Sequence, residues 1–590
     1  MGFKNGRRPG RHGLRLWRHL QDVRRGLITG NTSLRSEAGV YAYTGQAHLY
    51  GNATVTGNVG AVSNDLGTQN NGKTNDGAGG SITIHEGYCG RATLYTSYVP
   101  EEDFGDGWTR NVYTDAKKVA GLGGIVSQQD PTVMLDGWYS TDKKIYWMAL
   151  ANREYAANGV PVHDFAEAVA LMKGECTLEL MKDQTWNGKG PWKVPTTAKK
   201  LTIKSFAGCG TRTLKGDDST RYLLQIGLGS TDTNQTLRIE NLILQGTPYM
   251  SEDRQGCIIY GYGRVELGAG AILEKGGRGV LAEVAGSSVL MEEGAVIRDC
   301  YVYGIANYGS AVLIGKSNFG AGARPNFTMN GGLITNCVCE CSSSQTAKDG
   351  YGGAVYVYTA DFEMNGGRIV GNICTNAAAG INNYNGSITF GGTAVVEGNV
   401  GAGNDCYLRK PAKFAGDFRG HVGVSSPSAA KGDPFNVSPA DADATGAWCF
   451  FSSHGNGNNF VGMTQETTDG TLQEIVWAEP TCSFEGQPIA GLADFARALP
   501  KVIKLDEAGR AALPYRIGGK VGGTVALDVT EDDILAAGGS IPVFEALDAS
   551  GFTGRIVGTL DPELAKKWSL RRIGSQLVLG EKQGISVLIR

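Results

Sequence analysis

The chain has 590 residues, of which 41% are hydrophobic and 19% are charged, and its formal net charge at pH 7 is -3. This balance provides no basic stripe for a nucleic-acid partner. No apolar run is long enough to span a bilayer, so no transmembrane segment is predicted. Twelve cysteines in a chain of this length do not indicate a disulfide framework.

Residues 1–25 are predicted to be a basic leader, because they hold eight Lys or Arg and one Asp. They contain no apolar core of a secretory signal. We expect the natural start to lie upstream, so that the sequence is either a fragment or carries a misassigned initiator. The alternative is a basic amphipathic membrane helix with Leu16, Trp17, Leu20 and Val23 on its apolar side.

A long repeat organises the rest of the chain. Residues 26–61, "GLITGNTSLRSEAGVYAYTGQAHLYGNATVTGNVGA", match residues 367–402, "GRIVGNICTNAAAGINNYNGSITFGGTAVVEGNVGA", without a gap. Two shorter pairs also recur at one common spacing, namely "KIYW" with "EIVW" and "DFAEA" with "DFARA". The repeats predict a tandem array, with the last coils of a truncated β-helix at 26–62 and a β-rich connecting module at 63–158.

A short helix is predicted to open the second β-helix, which we place at 159–410. Residues 164–173 have apolar residues at helical spacing, with Phe165, Val169 and Met172 on one face. Asp164 stands in the N-cap position. We expect this helix to cap the open hydrophobic end of the solenoid, as terminal repeats must.

The coils of the second β-helix show a repeated motif, seen most clearly in "FTMNGGLITNC" (327–337) and "FEMNGGRIVGN" (362–372). Apolar residues alternate at period two, which predicts strands with one buried face. Five pairs are predicted to face inward: Val265 and Leu267, Val289 and Met291, Phe327 and Met329, Phe362 and Met364, and Ile388 and Phe390. Short strands before and after each motif complete a coil, which predicts a right-handed parallel β-helix.

Two kinds of residue recur at the corners of these coils. Gly371-Asn372 and Gly398-Asn399 are predicted to form left-handed corners and an asparagine ladder. Cys300 and Cys337 fill the same coil position in "VIRDC" and "LITNC". We interpret the cysteines as small buried hydrophobic residues, and the sequence leaves open whether two of them form a disulfide. No histidine lies between positions 164 and 420, and neither a metal site nor a cofactor is predicted.

The C-terminal part is predicted to contain a second connecting module at 411–480 and a β-rich module at 481–590. The fold class is therefore all-β: a right-handed parallel β-helix solenoid with a short capping α-helix, flanked by β-rich connecting and C-terminal modules.

The coil pattern F-x-M-x-G-G-x-I-x-G-N resembles the repeats of right-handed parallel β-helix (pectin-lyase-like) proteins, in particular adhesin-like surface or secreted proteins of anaerobic gut bacteria. The resemblance covers 26–61 and 160–410. It implies export and a cell-surface or extracellular location, although this sequence contains no signal for export. It also implies partners among glycans or host and cell-surface components.

The fold hosts both enzymes and inert rods, so the fold leaves two functions open. A polysaccharide lyase or glycoside hydrolase needs two nearby carboxylates, or an acidic cluster that holds Ca²⁺. Successive coils place one residue each at the outward position of the motif strand: Glu266, Leu290, Thr328, Glu363 and Thr389. No two neighbours are acidic, so a non-catalytic adhesin or structural spacer is predicted, without catalytic residues. The enzyme stays the alternative.

One column of side chains is a candidate binding surface. Counting four residues from the glycine that opens each third strand gives Tyr260, Glu283, Tyr308, Val357 and Tyr384. If this position faces outward, the rings of Tyr260, Tyr308 and Tyr384 offer flat apolar platforms for sugars. The alternative is that tyrosine simply suits an exposed strand.

Overall fold

A computed structural model describes residues 152–425 except 163, 189, 218–220, 228–233, 248–249, 252–253, 305–308, 316–323, 342–351, 376, 402 and 416–417. It also describes residues 502–582 except 512, 548–551 and 554, and, between 14 and 149 and between 437 and 489, the strands given below with a few adjoining residues. The chain divides into two compact units. The first comprises Met1–Asn187, Lys193–Lys215 and Asn234–Leu244, and the second comprises Gly188–Trp192, Gly216–Thr233 and Gln245–Arg590.

The first unit begins with short strands that pair in parallel across successive turns of the chain. One series is Leu14–Arg15, Val40–Ala42, Leu66–Thr68, Ala92–Tyr95 and Ile125–Ser127. A second is Leu20–Val23, Gln46–Leu49, Ser81–Ile84 and Trp108–Thr114. Two further parallel pairs are Leu27–Ile28 with Thr54–Val55 and Thr32–Ser33 with Val59–Gly60. The antiparallel strands Val133–Tyr139 and Lys144–Ala149 follow.

This pairing extends beyond the segment 26–62 that the sequence identified as coils. Leu14–Arg15 and Leu20–Val23 lie inside the predicted leader and already pair with coil strands. Because Leu20–Val23 is a strand, the alternative of an amphipathic helix there is wrong. The parallel series also reaches Ile125–Ser127, inside the predicted connecting module. The domain boundaries themselves stay predictions.

The predicted helix is present and begins where the sequence placed it. It spans Phe165–Leu171, and Oδ1 of the N-cap Asp164 accepts a hydrogen bond from the Glu167 amide at 2.7 Å. Of the predicted apolar face, Met172 is buried, whereas Phe165 and Val169 are half-buried. Glu167 and Ala168 are also buried. Phe165 instead packs against the rings of Tyr155 and Trp186, with centroids 5.4 and 5.9 Å away.

The strands around this helix build a sheet within the first unit: Val160–Val162, Tyr155–Ala157, Gly174–Leu180, Ala198–Ser205 and Thr236–Glu240. Gln184–Trp186 also belongs to this unit. Trp192–Lys193, Arg212–Gly216 and Leu242–Gln245 lie where the division between the units falls.

The second unit contains a parallel β-solenoid with three main sheets, each built from one strand per coil. The first sheet comprises Arg264–Leu267, Ser288–Met291, Asn326–Met329, Asp361–Met364, Ser387–Phe390, Ala412–Phe414 and Val437–Pro439. The second sheet comprises Ala271–Glu274, Val296–Arg298, Leu333–Thr335, Arg368–Val370, Val395–Glu397 and His421–Ser425. The third sheet comprises Tyr222–Ile226, Cys257–Gly261, Val280–Ala282, Val312–Ile314, Val355–Val357, Ile381–Asn383 and Cys406–Leu408.

A shorter fourth sheet follows the second in several coils: Tyr301–Gly304, Val338–Cys341, Ile373–Cys374 and Val400–Gly401. One antiparallel pair, Met250–Ser251 with Arg254–Gln255, interrupts the pattern.

The interior register of the first sheet agrees with the sequence. All ten of the predicted inward residues are at most 1% exposed. Phe327 lies opposite Phe362, and their rings stack with centroids 4.8 Å apart. Burial of side chains of this size contributes roughly 1.5–3 kcal/mol each. The predicted all-β fold class, a parallel β-helix with a short helix near its start, is confirmed.

The asparagine ladder is also confirmed at the corner that follows the second sheet. Asn372 Nδ2 donates to Asn399 Oδ1 at 2.8 Å, and Asn372 Oδ1 accepts from the Cys337 amide at 3.0 Å. Asn399 Nδ2 in turn donates to Asp405 Oδ1 at 2.7 Å. Gly371, at φ +66°, supplies the left-handed turn that brings the amide inside.

Cysteine takes the place of asparagine in the two preceding coils. Cys300 and Cys337 follow Asp299 and Asn336, which have φ of 55° and 54°. The Cys337 thiol contacts the Thr335 carbonyl at 3.4 Å, as Asn372 Nδ2 contacts the Val370 carbonyl at 3.3 Å. Burial raises the pKa of the Cys337 thiol. Nine cysteines are free, namely Cys176, Cys209, Cys257, Cys300, Cys337, Cys339, Cys374, Cys406 and Cys482, and all of these but Cys209 are buried.

The C-terminal part is β-rich, as predicted. Phe451–His454, Val461–Glu466 and Leu472–Ala478 form antiparallel pairs. Further strands are Cys482–Phe484, Gln487–Ile489, Val502–Lys504, Tyr515–Lys520, Gly523–Asp528, Ser540–Ala546, Phe552–Thr553, Ile556–Thr559, Trp568–Ile573 and Gln576–Glu581. Three short helices, Glu507–Arg510, Glu531–Ala536 and Leu564–Lys567, lie between them.

Candidate functional site

The outward side of the third sheet carries several tyrosine side chains, and we call it the aromatic face. Strand pairing defines its central row as Gln225, Tyr260, Leu281, Leu313, Tyr356, Asn382 and Tyr407. Side chains alternate along a strand, and the neighbours of Leu281 on either side, Val280 and Ala282, are 0% exposed and belong to the interior.

This register corrects the column that the sequence proposed. Tyr260 lies opposite Leu281 rather than Glu283. Val357 is 0% exposed and belongs to the interior of the solenoid. Tyr384 follows the strand Ile381–Asn383, and its amide donates to the Val357 carbonyl at 3.0 Å. The structure therefore places Tyr260 and Tyr384 in two different groups of the aromatic face, and Tyr308 lies outside the described residues.

The N-terminal group contains Arg221, Tyr222, Tyr260 and Tyr262. The rings of Tyr222 and Tyr260 stack with centroids 4.9 Å apart, and Tyr262 meets Tyr260 edge-on at 4.8 Å. The Arg221 guanidinium lies over the Tyr222 ring, 4.8 Å from its centroid. All three tyrosines are half-buried. One side of each ring is thus held by a neighbour, which fixes the orientation of the group.

Burial keeps the hydroxyls of Tyr222 and Tyr260 protonated, because it raises the pKa of both. It raises the pKa of Tyr222 to about 12, with a further contribution from the nearby Cys257. Burial also raises the pKa of Tyr260, and the hydrogen bond with Tyr262 raises it further. Neutral phenols both donate and accept hydrogen bonds, as sugar hydroxyls do.

The C-terminal group is built around Tyr358 and Tyr384, whose rings stack with centroids 4.8 Å apart. Arg409 lies over Tyr384, with its guanidinium carbon 4.4 Å from the ring centroid. Tyr356, which is 0% exposed, packs beside Tyr358, with their ring centroids 6.0 Å apart. Tyr407 is 39% exposed and adds a ring at the same end of the row. This end therefore presents aromatic and cationic groups together.

The middle of the aromatic face is aliphatic and covered. Leu281 and Leu313 belong to the outward row, yet each is only 5% exposed. They form one cluster with Cys257 and Tyr356. Four half-buried tyrosines pack against this cluster: Tyr222, Tyr260, Tyr358 and Tyr384. Both aromatic groups therefore pack against the same hydrophobic cluster.

The first sheet does not bring two carboxylates together at its outward position. Glu266 lies opposite Leu290, and Glu363 lies between Thr328 and Thr389. Glu266 also pairs with Arg264, whose Nε lies 2.6 Å from its carboxylate. Neither glutamate therefore faces a second carboxylate across these paired strands, but Asp361 lies two residues before Glu363 on the same exposed side of its own strand.

On the second sheet, the carboxylates of Glu274 and Glu397 face cations. Both Nε and Nη2 of Arg298 donate to Glu274 Oε2, at 2.9 and 2.7 Å. Burial acts to raise the pKa of Glu274, but the hydrogen bonds from Arg298 and Lys275 bring it below its usual range. The hydrogen bond from His421, opposed by burial, likewise lowers the pKa of Glu397. Such carboxylates stay ionised and are unsuited to act as general acids at neutral pH.

Metal chemistry has no obvious centre in the part of the chain that the structure describes. No group of three or more His, Cys, Asp or Glu side chains there could hold an ion. Asp299, which is half-buried at a corner of its coil, accepts a hydrogen bond from the side-chain amide of Asn336 in the next coil. The expectation that the protein has no cofactor stays a prediction.

The sequence had indicated only part of this site. Tyr222, Tyr262, Tyr358 and Tyr407 were missed, although "YGY" (260–262), "YVY" (356–358) and "YLR" (407–409) repeat an aromatic two residues from an aromatic or a cation. That spacing puts both side chains on one side of a strand. The two-residue spacing therefore points to Tyr262, Tyr358 and Tyr407, but not to Tyr222.

No family model, no curated protein and no solved structure matches the chain. The fold and the site define its class as a parallel β-solenoid with an aromatic outward face. Among the described residues, no helix is long and apolar enough to cross a membrane.

Proposed function

We propose that this chain is a non-catalytic β-helix repeat protein of the adhesin-like, pectin-lyase-like type, located at the cell surface or secreted. Its aromatic face binds glycans, with host or cell-surface components as partners. The observation that supports this is the pair of stacked tyrosine groups on one outward face, each with an arginine over a ring.

The physical argument starts from the shape of a sugar ring. Its apolar C–H side packs on a flat aromatic ring, while its rim of hydroxyls needs polar partners. Tyr384 provides such a ring with a hydroxyl, and the exposed Arg409 provides donors beside it. Half-buried, mutually stacked rings lose little conformational freedom on binding, which favours affinity.

A glycan array tests the proposal, with the parent protein compared with Tyr222→Ala, Tyr384→Ala and Tyr308→Ala. Tyr303→Ala is the matched control, because Tyr303 is 38% exposed but lies in the fourth sheet. We expect the changes at Tyr222 and Tyr384 to weaken binding about tenfold, equivalent to about 1.4 kcal/mol. Tyr303→Ala should bind as the parent does.

Three outcomes would contradict the proposal. Equal binding by all variants would show that the aromatic face does not bind the glycan. No binding by the parent would favour a structural spacer without a ligand. Release of new sugar ends would favour the alternative, a polysaccharide lyase or glycoside hydrolase. Protection of the chain from protease added to intact cells would contradict the surface location.

A further inference from the structure

Two histidines meet on the outward side of a sheet in the first unit, far along the sequence from the aromatic face. His48 lies in the strand Gln46–Leu49 between Ala47 and Leu49, which are 4% and 2% exposed. His85 directly follows the parallel strand Ser81–Ile84, and its amide donates to the Leu49 carbonyl at 3.0 Å. Both imidazoles are half-buried, and the paired strands fix the backbone beneath them.

The ring nitrogens of the two histidines point at one another. His48 Nδ1 lies 2.8 Å from His85 Nε2, so one nitrogen donates a hydrogen bond and the other accepts it. The Tyr50 ring stacks on His85 with centroids 3.9 Å apart and an angle of 6° between the planes. Tyr50 therefore holds the imidazole of His85 in the orientation that faces His48.

We propose that His48 and His85 form a binding site for a divalent first-row transition metal such as Zn²⁺ or Cu²⁺. A metal ion bound by both nitrogens would replace the proton that they now share. Imidazole nitrogen suits these metals and not Mg²⁺ or Ca²⁺. At Zn–N distances of about 2.0–2.1 Å, two nitrogens of a tetrahedral centre lie roughly 3.3 Å apart, so the rings need to separate by only about 0.5 Å.

Proton balance permits this exchange without a change in charge of the protein. The nitrogen that donates the present hydrogen bond becomes a ligand when its ring adopts the other tautomer, and both imidazoles remain neutral. Among the described residues no third His, Cys, Asp or Glu completes a set with this pair, so we assign two protein ligands to the site. The site should therefore bind metal with one ion per chain and exchange it readily.

Calorimetric titration of the full chain with ZnCl₂ tests the site, together with His48→Gln and His85→Gln. His421→Gln is the matched control, because His421 lies in the second unit and pairs with Glu397 at 3.0 Å. We expect one ion per parent chain, at least about a tenfold loss of affinity in each of the first two variants, and no change in the control. Circular dichroism verifies that each variant is folded.

A second measurement uses only the parent protein, so it does not depend on the folding of the variants. The electron paramagnetic resonance spectrum of the chain with one equivalent of Cu²⁺ should show coupling to two imidazole nitrogens. Coupling to fewer than two, no heat with Zn²⁺, or undiminished affinity in His48→Gln and His85→Gln would each overturn the proposal.

Discussion

The side-chain amide of Asn372 connects three successive coils through buried hydrogen bonds. Its Oδ1 accepts from the Cys337 amide at 3.0 Å, and its Nδ2 donates to the Ile334 carbonyl at 3.1 Å and to Asn399 at 2.8 Å. Asn372→Ala removes the side-chain amide, so these buried donors and acceptors lose a hydrogen-bond partner. Each group left in this way costs about 1–3 kcal/mol of stability. We expect the free energy of unfolding, measured in urea, to fall by about 3 kcal/mol or more.

The chain provides a matched control for this prediction. Asn365 Nδ2 donates to Asn330 Oδ1 of the preceding coil at 3.1 Å, but this pair is exposed to water. Asn365→Ala should therefore change stability by only about 0.5 kcal/mol. Equal losses in Asn365→Ala and Asn372→Ala would show that burial of the ladder is unimportant.

At the scale of the strand, the motif Phe-x-Met sets the register of the first sheet. Met364 is 0% exposed and lies between Met329 and Phe390 of the neighbouring coils. Met364→Asp would place a charge without a partner in this dry interior, which costs several kcal/mol. We expect a large drop in the thermal midpoint or loss of the folded protein.

The neighbouring position shows whether the effect depends on the direction of the side chain. Glu363 faces outward between Thr328 and Thr389, so Glu363→Thr continues a threonine row. This variant should melt within a few degrees of the parent. A Met364→Asp protein that melts like Glu363→Thr would contradict the register.

The first and third sheets explain why one register could be predicted and the other could not. Residues of the first sheet alternate between a buried position such as Met364 and an outward one such as Glu363, and this alternation is visible in the sequence. In the third sheet all three residues of Val280–Ala282 are buried, because Leu281 is covered on the outward side. A strand buried on both sides has no period of two. Counting from the glycines therefore placed Glu283 where Leu281 lies.

An ion pair on the second sheet, between the buried Glu274 and the half-exposed Arg298, predicts how stability depends on pH. Hydrogen bonds from Arg298 and Lys275, acting against burial, hold the pKa of Glu274 below its usual range. A group whose pKa is lowered by folding stabilises the folded state above its unfolded pKa, about 4.3 for glutamate. That contribution is lost as the pH falls through the lowered pKa.

Glu274→Gln should therefore be less stable than the parent at pH 7, by about 1–3 kcal/mol. The difference should shrink as the pH decreases below about 4.3. Urea unfolding at pH 7, 5 and 3 measures it, and Glu363→Gln, on the exposed side of the first sheet, is the control. A difference between Glu274→Gln and parent that stays constant down to pH 3 would contradict an ionic origin.

For the whole molecule, the sequence predicted the class of fold because repetition makes one pattern visible many times. It also predicted the start of the helix, since Asp164 is the kind of residue that caps. The candidate site was harder, because its aromatic groups combine residues just outside strands, such as Tyr262 and Arg409, with residues inside them. The position of such residues depends on the conformation of each corner, and corner lengths differ between coils. The contact between His48 and His85 likewise required knowing which coils are adjacent.

The last prediction concerns chemistry, and it follows from where the described carboxylates lie. Depolymerising enzymes of this fold need two carboxylates about 5–9.5 Å apart, or a Ca²⁺ site beside a base. On the adjacent strands Glu363 has threonine on both sides. Asp361, on the same side of its own strand, lies 3.8 Å from Arg324, while Glu274 faces Arg298. We expect the purified chain to release neither unsaturated nor reducing ends from pectin, alginate or host glycans, with or without Ca²⁺. A lyase of known activity in the same buffer verifies the assay. Steady release that disappears when one acidic residue is replaced would contradict the prediction and identify that residue as catalytic.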